Sequence, residues 1–429
     1  MRQAARGGAD KLAVSTVAPP HPVHAMPMPR PPFHTIALVL QGGGALGAYQ
    51  AGVMEGLSEA GIEPDWVAGV SIGAINGALI AGNAPEHRVA RLREFWTTVS
   101  HPGFWPDALH WLHQAVEPVD DWRRQVWNGM SAWRALTEGQ RGFFTPRPPA
   151  AWLGTPSPER ASFYDTKPLK ATLERLVDFD RINHGETRLT VSAVNVATGN
   201  FEVFDNQHGR WRKRIRAEHI MASGALPPGF PAVGIEEPGP MDPARDCGAP
   251  RHIHYFWDGG IVSNTPLAQV LDDYPRHDTL AFQVDLWSAH GDVPTNVIDA
   301  QERVKDIQFS SRTRTITDSE AREQRQRRLL RELLDQIPPE LRAANPTCRA
   351  AAQLACARKV AVIHLIYQDK EWDGLSKDYE FGAVTMRNHW ASGLADITRT
   401  LEHRQWLEAP PGDDPFVTHD IHRFERQRE

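Results

Sequence analysis

Two short glycine-framed turns hold the residue types from which acyl-transfer chemistry is built. Gly42-Gly43-Gly44-Ala45-Leu46-Gly47 follows the apolar run Thr35–Leu40, and Gly69-Val70-Ser71-Ile72-Gly73 follows a second run, Trp66–Val70. The first turn exposes backbone N–H groups. The second has the form of a nucleophile elbow, G-x-S-x-G, with Ser71 as the nucleophile. A hydroxyl beside N–H donors for an oxyanion is what acyl transfer requires. Gly69 and Gly73 let the backbone pass without Cβ clashes, and the following N–H groups lie at the positive end of a helix. The plainer reading of Ser71 is a helix cap.

The first turn also satisfies G-x-G-x-x-G through Gly42, Gly44 and Gly47, with Asp65 about where a ribose-binding acid would fall. A dinucleotide-binding oxidoreductase is therefore a rival. In that fold, however, the acid ends the second strand, whereas Asp65 precedes Trp66–Val70.

A serine nucleophile needs a base. A Ser–His–Asp triad is one template, and His252, His254, His290, His364 and His389 are candidates, none in a glycine-framed loop. Asp258 is the other candidate. It follows Phe256-Trp257 at the end of the run His252–Trp257 and is released by Gly259-Gly260. Partial desolvation beside that apolar pair would raise its pKa and its basicity towards a hydroxyl proton. The plainer reading is an Asp-Gly turn.

The elements that must position these groups are legible as alternating units. Thr35–Leu40 reads as a buried parallel strand, Ala48–Ala60 as a helix closed by Gly61, Trp66–Val70 as a strand and Ile72–Gly82 as a small-residue helix. Two strand–turn–helix units in succession point to an α/β fold with a parallel sheet. Arg88–Thr98 and Leu169–Val177 read as helices. Leu189–Asn195 and Phe201–Phe204 read as a hairpin about Thr198-Gly199-Asn200, and Thr279–Leu286 and Lys359–Tyr367 as strands. Gln301–Gln336 reads as one long Arg-rich helix, either a solvated face paired with Glu320, Glu323 and Glu332 or a surface for anionic lipid or a partner. Gly382–Leu401 reads as a further helix. Between these units, Trp96, Trp105, Trp111, Trp122, Trp127, Trp133 and Trp152 mark an insertion. It reads as a satellite core or as an apolar cap for an acyl chain or bilayer.

Bulk composition excludes some classes. The chain has 429 residues, 41% of them hydrophobic, and a net charge of −6, which does not suggest a nucleic-acid binder. Cys247, Cys348 and Cys356 make no Cys-x-x-Cys and no disulfide framework, consistent with a reducing cytoplasm. No His/Cys/acid cluster has metal-ligand spacing. No stretch has the roughly 20 apolar residues of a transmembrane helix. The Pro-, Ala- and Arg-rich start reads as a disordered leader rather than a secretory signal, with a transit peptide as its rival.

GGGALG, GVSIG and DGG, in that order, resemble the motifs of the patatin-like phospholipases. A fourth block, Ala222-Ser223-Gly224-Ala225-Leu226-Pro227, is similar to one that supports the active-site wall in that family. The resemblance covers roughly Ile36 to Leu286. It implies a Ser–Asp dyad without a catalytic histidine: Ser71 as nucleophile, Asp258 as general base, and the backbone of Gly42, Gly43 and Gly44 as the oxyanion hole. Gly47, Gly69, Gly73, Gly259 and Gly260 are the supporting motif positions. One departure is Leu46, where the family often carries Lys or Arg. Lys305–Arg312 and Asp378–Phe381 are similar to a C-terminal extension of some bacterial members.

The expected fold is a patatin-like three-layer α/β/α sandwich with a mainly parallel central sheet, a helical Trp-rich insertion and a C-terminal α/β extension. The expected divisions are a leader at 1–33, a catalytic domain at 34–290 with the insertion at about 96–160, an extension at 291–410 and a tail at 411–429. The expected function is lipid acyl hydrolysis, of the phospholipase A or lysophospholipase kind, through an acyl-enzyme. No cofactor or metal is expected. The expected partner is a phospholipid or other acyl-ester lipid, with no nucleic acid. The expected location is cytoplasmic, with peripheral contact to the inner membrane as a further reading. A lipid-binding scaffold of weak activity is the non-enzymatic alternative.

Overall fold

The computed structural model describes residues 28–100, 131–149, 157–207, 212–238, 251–310, 313–370, 376–411 and 414–426. Strands β1 (Thr35–Leu40), β2 (Trp66–Gly69), β3 (Arg188–Asn195), β4 (Phe201–Asp205), β5 (Val233–Pro238), β6 (Arg251–Asp258), β7 (Thr279–Asp285), β8 (Val360–Ile366) and β9 (Phe416–Asp420) form one sheet. Its order is β9-β8-β7-β1-β2-β3-β6-β5, with β4 hydrogen-bonded to β3. From β9 to β3 every pairing along this path is parallel, whereas β6, β5 and β4 pair antiparallel.

Period-two alternation in the buried strands gives the three layers. Ile36, Leu38 and Leu40 of β1 join one core. In it are residues of helices α1 (Ala48–Glu59), α2 (Ile72–Ala81) and α3 (Pro85–Val99). Ala37 and Val39 join the opposite core, with Leu267, Val270 and Leu271. The expected α/β sandwich with a mainly parallel sheet is therefore the observed architecture. Further helices are α4 (Ala217–Ser223), α5 (Leu267–Leu271), α6 (Val297–Phe309), α7 (Thr313–Asp335) and α8 (Ala383–Glu402). Ile316 and Ala321 of α7 pack on the second core.

The C-terminal part is built into the same sheet, since β8 pairs with β7 and β9 with β8. Helix α8 lies against α1 so closely that a methyl at Gly52 would sit 2.0 Å from the Trp390 carbonyl oxygen. Tyr49 Oη donates to Asp396 Oδ2 at 2.7 Å across the same contact.

Three details differ from the sequence reading. The long helix expected over Gln301–Gln336 is two helices, α6 and α7. The α6 terminus leaves the Phe309 carbonyl without an intrahelical donor, and Asn264 Nδ2 (2.8 Å) and Gln41 Nε2 (3.2 Å) donate to it. Residues read as a tail include edge strand β9, whose alternation is too short to stand out. Residues 28–33 are not free: Phe33 is buried and Arg30 pairs with Asp65. The leader expected before residue 28 lies outside the described residues. So do Trp105, Trp111, Trp122, Trp127 and Trp152. Trp96 is buried, donating to Asn76, whereas Trp133 is 66% exposed.

Candidate active site

Sheet register brings the two predicted side chains together. In the parallel pair β2–β3, Gly69 lies level with Val191, and Ser71 follows two residues on, where β2 turns into α2. Antiparallel strand β6 places Asp258 opposite Ala193 from the other side. The Ser71 hydroxyl faces the Asp258 carboxyl and pulls its raised pKa back down. As α2's N-cap, Ser71 makes no side-chain capping bond, so the helix-cap reading does not account for it.

The elbow is strained. Ser71 has φ 57° and ψ −125°, and it is the one non-glycine with positive φ among the described residues. Such a backbone persists only where its surroundings fix it. Its N–H donates to Ser223 Oγ at 3.1 Å, and that hydroxyl donates to the Ser192 carbonyl at 2.7 Å. The Ala-Ser block thus holds the elbow by its main chain. Gly69 ends β2, and Gly73 opens α2 against the Leu40 carbonyl.

Asp258 is 2% exposed. Burial pushes its carboxyl up to about 7, against the opposing pull of the Ser71 hydroxyl and the Gly260 N–H. Gly260 N donates to Asp258 Oδ1 at 2.7 Å, so Asp258 also forms the Asp-Gly turn of the plainer reading. Gly259 packs against the Ser192 carbonyl. Asp258 N donates to the Ala225 carbonyl at 3.0 Å, which joins the fourth sequence block to the base.

The glycine turn leaves β1 beside this pair. Gly43 and Gly44 N–H have no acceptor among the described residues, whereas Gly42 N–H donates to the Asn264 carbonyl at 3.3 Å. The three glycines expected to supply the oxyanion hole therefore divide. Gly43 and Gly44 offer donors, and Gly42 offers room beside Ser71. Gly44 takes φ +55°, which favours glycine, and a Cβ there would sit 2.0 Å from the Asp378 carbonyl oxygen. Gly47 packs against Ile72 and Trp96, and Leu46 is wholly buried in the core. An aliphatic side chain suits that position, where a cation would have to be paired.

Residues that sequence reasoning missed fix this turn. Gln41 Oε1 accepts from Leu286 N (2.6 Å) and Trp287 N (3.1 Å). Trp287 Nε1 and Asn264 Nδ2 donate to the Gly42 carbonyl at 2.9 and 3.1 Å. The polar Gln41 directly after an all-apolar strand was the available signal. Trp287 carried none, and the block at Asp378–Phe381 gave no sign of this role, which depends on which strands become neighbours.

The rival residues have other partners or face solvent. His364 binds Asp285 at 2.6 Å, but strand order puts His364 three strands from β2, roughly 14 Å away. His389 is buried against Tyr367, and His252, His254 and His290 are exposed. Asp65 accepts from Ile36 N at the N-terminal end of the sheet, opposite the glycine turn, where no ribose bound at that turn could reach it.

A mainly parallel α/β sheet thus delivers a serine elbow and an aspartate to neighbouring strand ends. The chain belongs to the patatin-like phospholipase family, whose model, described as Patatin-like phospholipase, matches residues 38–271, more than half of it. A second model, described as Patatin phospholipase, matches residues 307–413. Among curated proteins, the chain is 56% identical over 50 residues to Lysophospholipase nte1 of Aspergillus terreus, covering 12% of this chain and 3% of that one. It is 46% identical over 63 residues to human Patatin-like phospholipase domain-containing protein 6, covering 15% and 5%. The chain thus spans only a small part of the length of these relatives. Among solved structures, VipD from Legionella pneumophila aligns with a TM-score of 0.35 and 14% identity, over 86% of this chain and 67% of that chain. Human GIVD cytosolic phospholipase A2 aligns with a TM-score of 0.29 and 12% identity, over 58% and 42%.

Proposed function

We propose that this protein hydrolyses acyl esters of lipids through a Ser71–Asp258 dyad and an acyl-enzyme. The observation that carries the reading is Asp258, buried where β6 ends, its carboxyl pushed up to about 7 by burial and drawn down by the Ser71 hydroxyl that faces it. A base poised near neutrality takes a proton from an attacking hydroxyl without needing histidine. Ser71 Oγ attacks the ester carbonyl carbon as its proton passes to Asp258. The carbonyl oxygen, now an oxyanion, is received by Gly43 and Gly44 N–H. Collapse expels the alcohol or lysolipid, which takes the proton from Asp258. Water then repeats the sequence on the acyl-serine, with Asp258 again as base.

The apolar rim supports a lipid rather than a soluble ester. Ile261 and Val262 are 45% and 55% exposed directly after the Asp258-Gly259-Gly260 turn, and Leu226 is 37% exposed beside Ala225, the hydrogen-bond partner of Asp258. Exposed aliphatics bordering a site are what an acyl chain or bilayer surface meets. Such contact is peripheral in this proposal, and among the described residues no helix is long and apolar enough to cross a membrane. The catalytic unit proposed is 34–290, with the C-terminal part as a structural extension.

Fluorophosphonate labelling tests the reading. The adduct is expected on Ser71, and wild type is expected to release fatty acid from phospholipid or lysophospholipid vesicles. Turnover equal to that of a Ser71→Ala control on every ester and lipid tried would refute it.

A further inference from the structure

The glycine turn is gripped from a distant part of the chain. Ala45 N donates to the Asp378 main-chain carbonyl at 2.7 Å, and that carbonyl stands where a Gly44 side chain would be. Asp378 is itself held. Its carboxylate binds Lys305 Nζ from helix α6, while the neighbouring Lys377 Nζ binds Asp306 Oδ1 at 2.7 Å and both oxygens of Asp369 at 2.9 Å. Lys305-Asp306 and Lys377-Asp378 therefore pair reciprocally, each lysine with the other segment's aspartate. Lys377 is 3% exposed. Buried ion pairs cost desolvation and are kept where they fix geometry.

The cations also face the opposite flank of the turn. Lys305 Nζ lies 5.6 Å and Lys377 Nζ 5.2 Å from the centre of the Trp287 ring, whose Nε1 holds the Gly42 carbonyl. Lys305 lies 5.0 Å from the Tyr379 ring as well. One charge cluster thus braces the turn through Asp378 at Ala45 and through Trp287 at Gly42.

We propose that the reciprocal pair Lys305-Asp306/Lys377-Asp378 positions the oxyanion donors, with Lys305 and Asp378 as positioning residues for the hydrolysis. The proposal rests on the ester-hydrolase reading. It assigns this part of the C-terminal extension a task in catalysis: keeping Gly43 and Gly44 N–H free and fixed by engaging the next amide, Ala45. Loss of the clasp lets the turn relax, and misplaced donors cost rate rather than substrate binding.

The test compares wild type with Lys305→Met, Lys305→Arg and Asp378→Asn, reading kcat and KM on an aryl ester and amide exchange at Ala45. Lys305→Met is expected to lower kcat by about 10–100-fold with KM within about twofold, and to speed Ala45 exchange. Lys305→Arg, which keeps the cation, is expected to restore both. Unchanged kcat together with unchanged Ala45 protection in Lys305→Met would overturn the proposal, as would parallel loss of kcat and folded fraction that Lys305→Arg does not rescue. Should Lys305→Met fail to fold, Asp378→Asn decides by the same two readouts. If wild type turns over no ester, the hydrolase reading fails, while Ala45 exchange still decides whether the clasp holds the turn.

Discussion

Gly42 stands against Ser71 so closely that a methyl group on it would lie 2.9 Å from Ser71 Cβ and 2.4 Å from Asn264 Oδ1. The turn that follows β1 and the elbow that follows β2 meet there. Gly42→Ala forces Asn264, Ser71 or the turn itself to move. We expect kcat/KM to fall by at least about 100-fold, as for misplacement of reacting groups. Steady-state kinetics with a thermal midpoint on the same sample will separate this from simple unfolding.

Removal of either member of the dyad is expected to cost about 10³-fold or more in kcat. Ser71→Ala loses the nucleophile and all fluorophosphonate labelling. Asp258→Asn keeps the shape and loses the base. His364→Ala and His290→Ala are expected to keep wild-type kcat/KM within about threefold, since His364 pairs with Asp285 and His290 faces solvent. A histidine variant as inactive as Asp258→Asn would restore the triad reading.

Activity should follow the ionisation of Asp258. With its carboxyl pushed up to about 7, kcat/KM is expected to rise with pH and level off above that value. The same shift has a stability consequence. A folded-state pKa above the unfolded one means that the folded protein binds the proton more tightly. Stability attached to Asp258 is therefore full below about 4 and is lost as pH rises through about 7. Asp258→Asn, inactive, should melt at a higher temperature than wild type at pH 8, by a margin that is smaller at pH 5. A melting comparison at those two pH values checks the sign.

Ser223 links the elbow to β3 through a wholly buried hydroxyl. Ser223→Ala leaves the Ser71 N–H and the Ser192 carbonyl without that partner, at a cost of about 1–3 kcal/mol. Denaturant unfolding should show that loss, and kcat should fall more than KM rises because the strained Ser71 is then less firmly held.

Local order was legible in the sequence, and long-range order was not. Thr35–Leu40 is β1 as read, and the glycine frames of Ser71 and Asp258 announced the turns on which both sit. These signals lie within a few residues, where apolar runs and glycines act directly on the backbone. The braces on the site are another matter. Gln41, Asn264, Trp287 and Asp378 meet the glycine turn only because β1 lies between β7 and β2 and because α6 turns back onto residues 377–378. No periodicity encodes that. The Arg-rich segment was legible only in its plainer form. Three of its arginines pair along their own helix, Arg327 with Glu323, Arg328 with Glu332 and Arg331 with Asp335. Its break at Phe309 is met by donors elsewhere in the fold, Asn264 and Gln41.

The position of β1 carries a consequence for the newly made chain. Thr35 pairs with Thr279 on one side and β1 pairs with β2 on the other, while Ala45 waits for Asp378. Ser71 leaves the ribosome well before Asp378, so the nucleophile exists before its turn can be fastened. The order of the chain itself delays completion of the site.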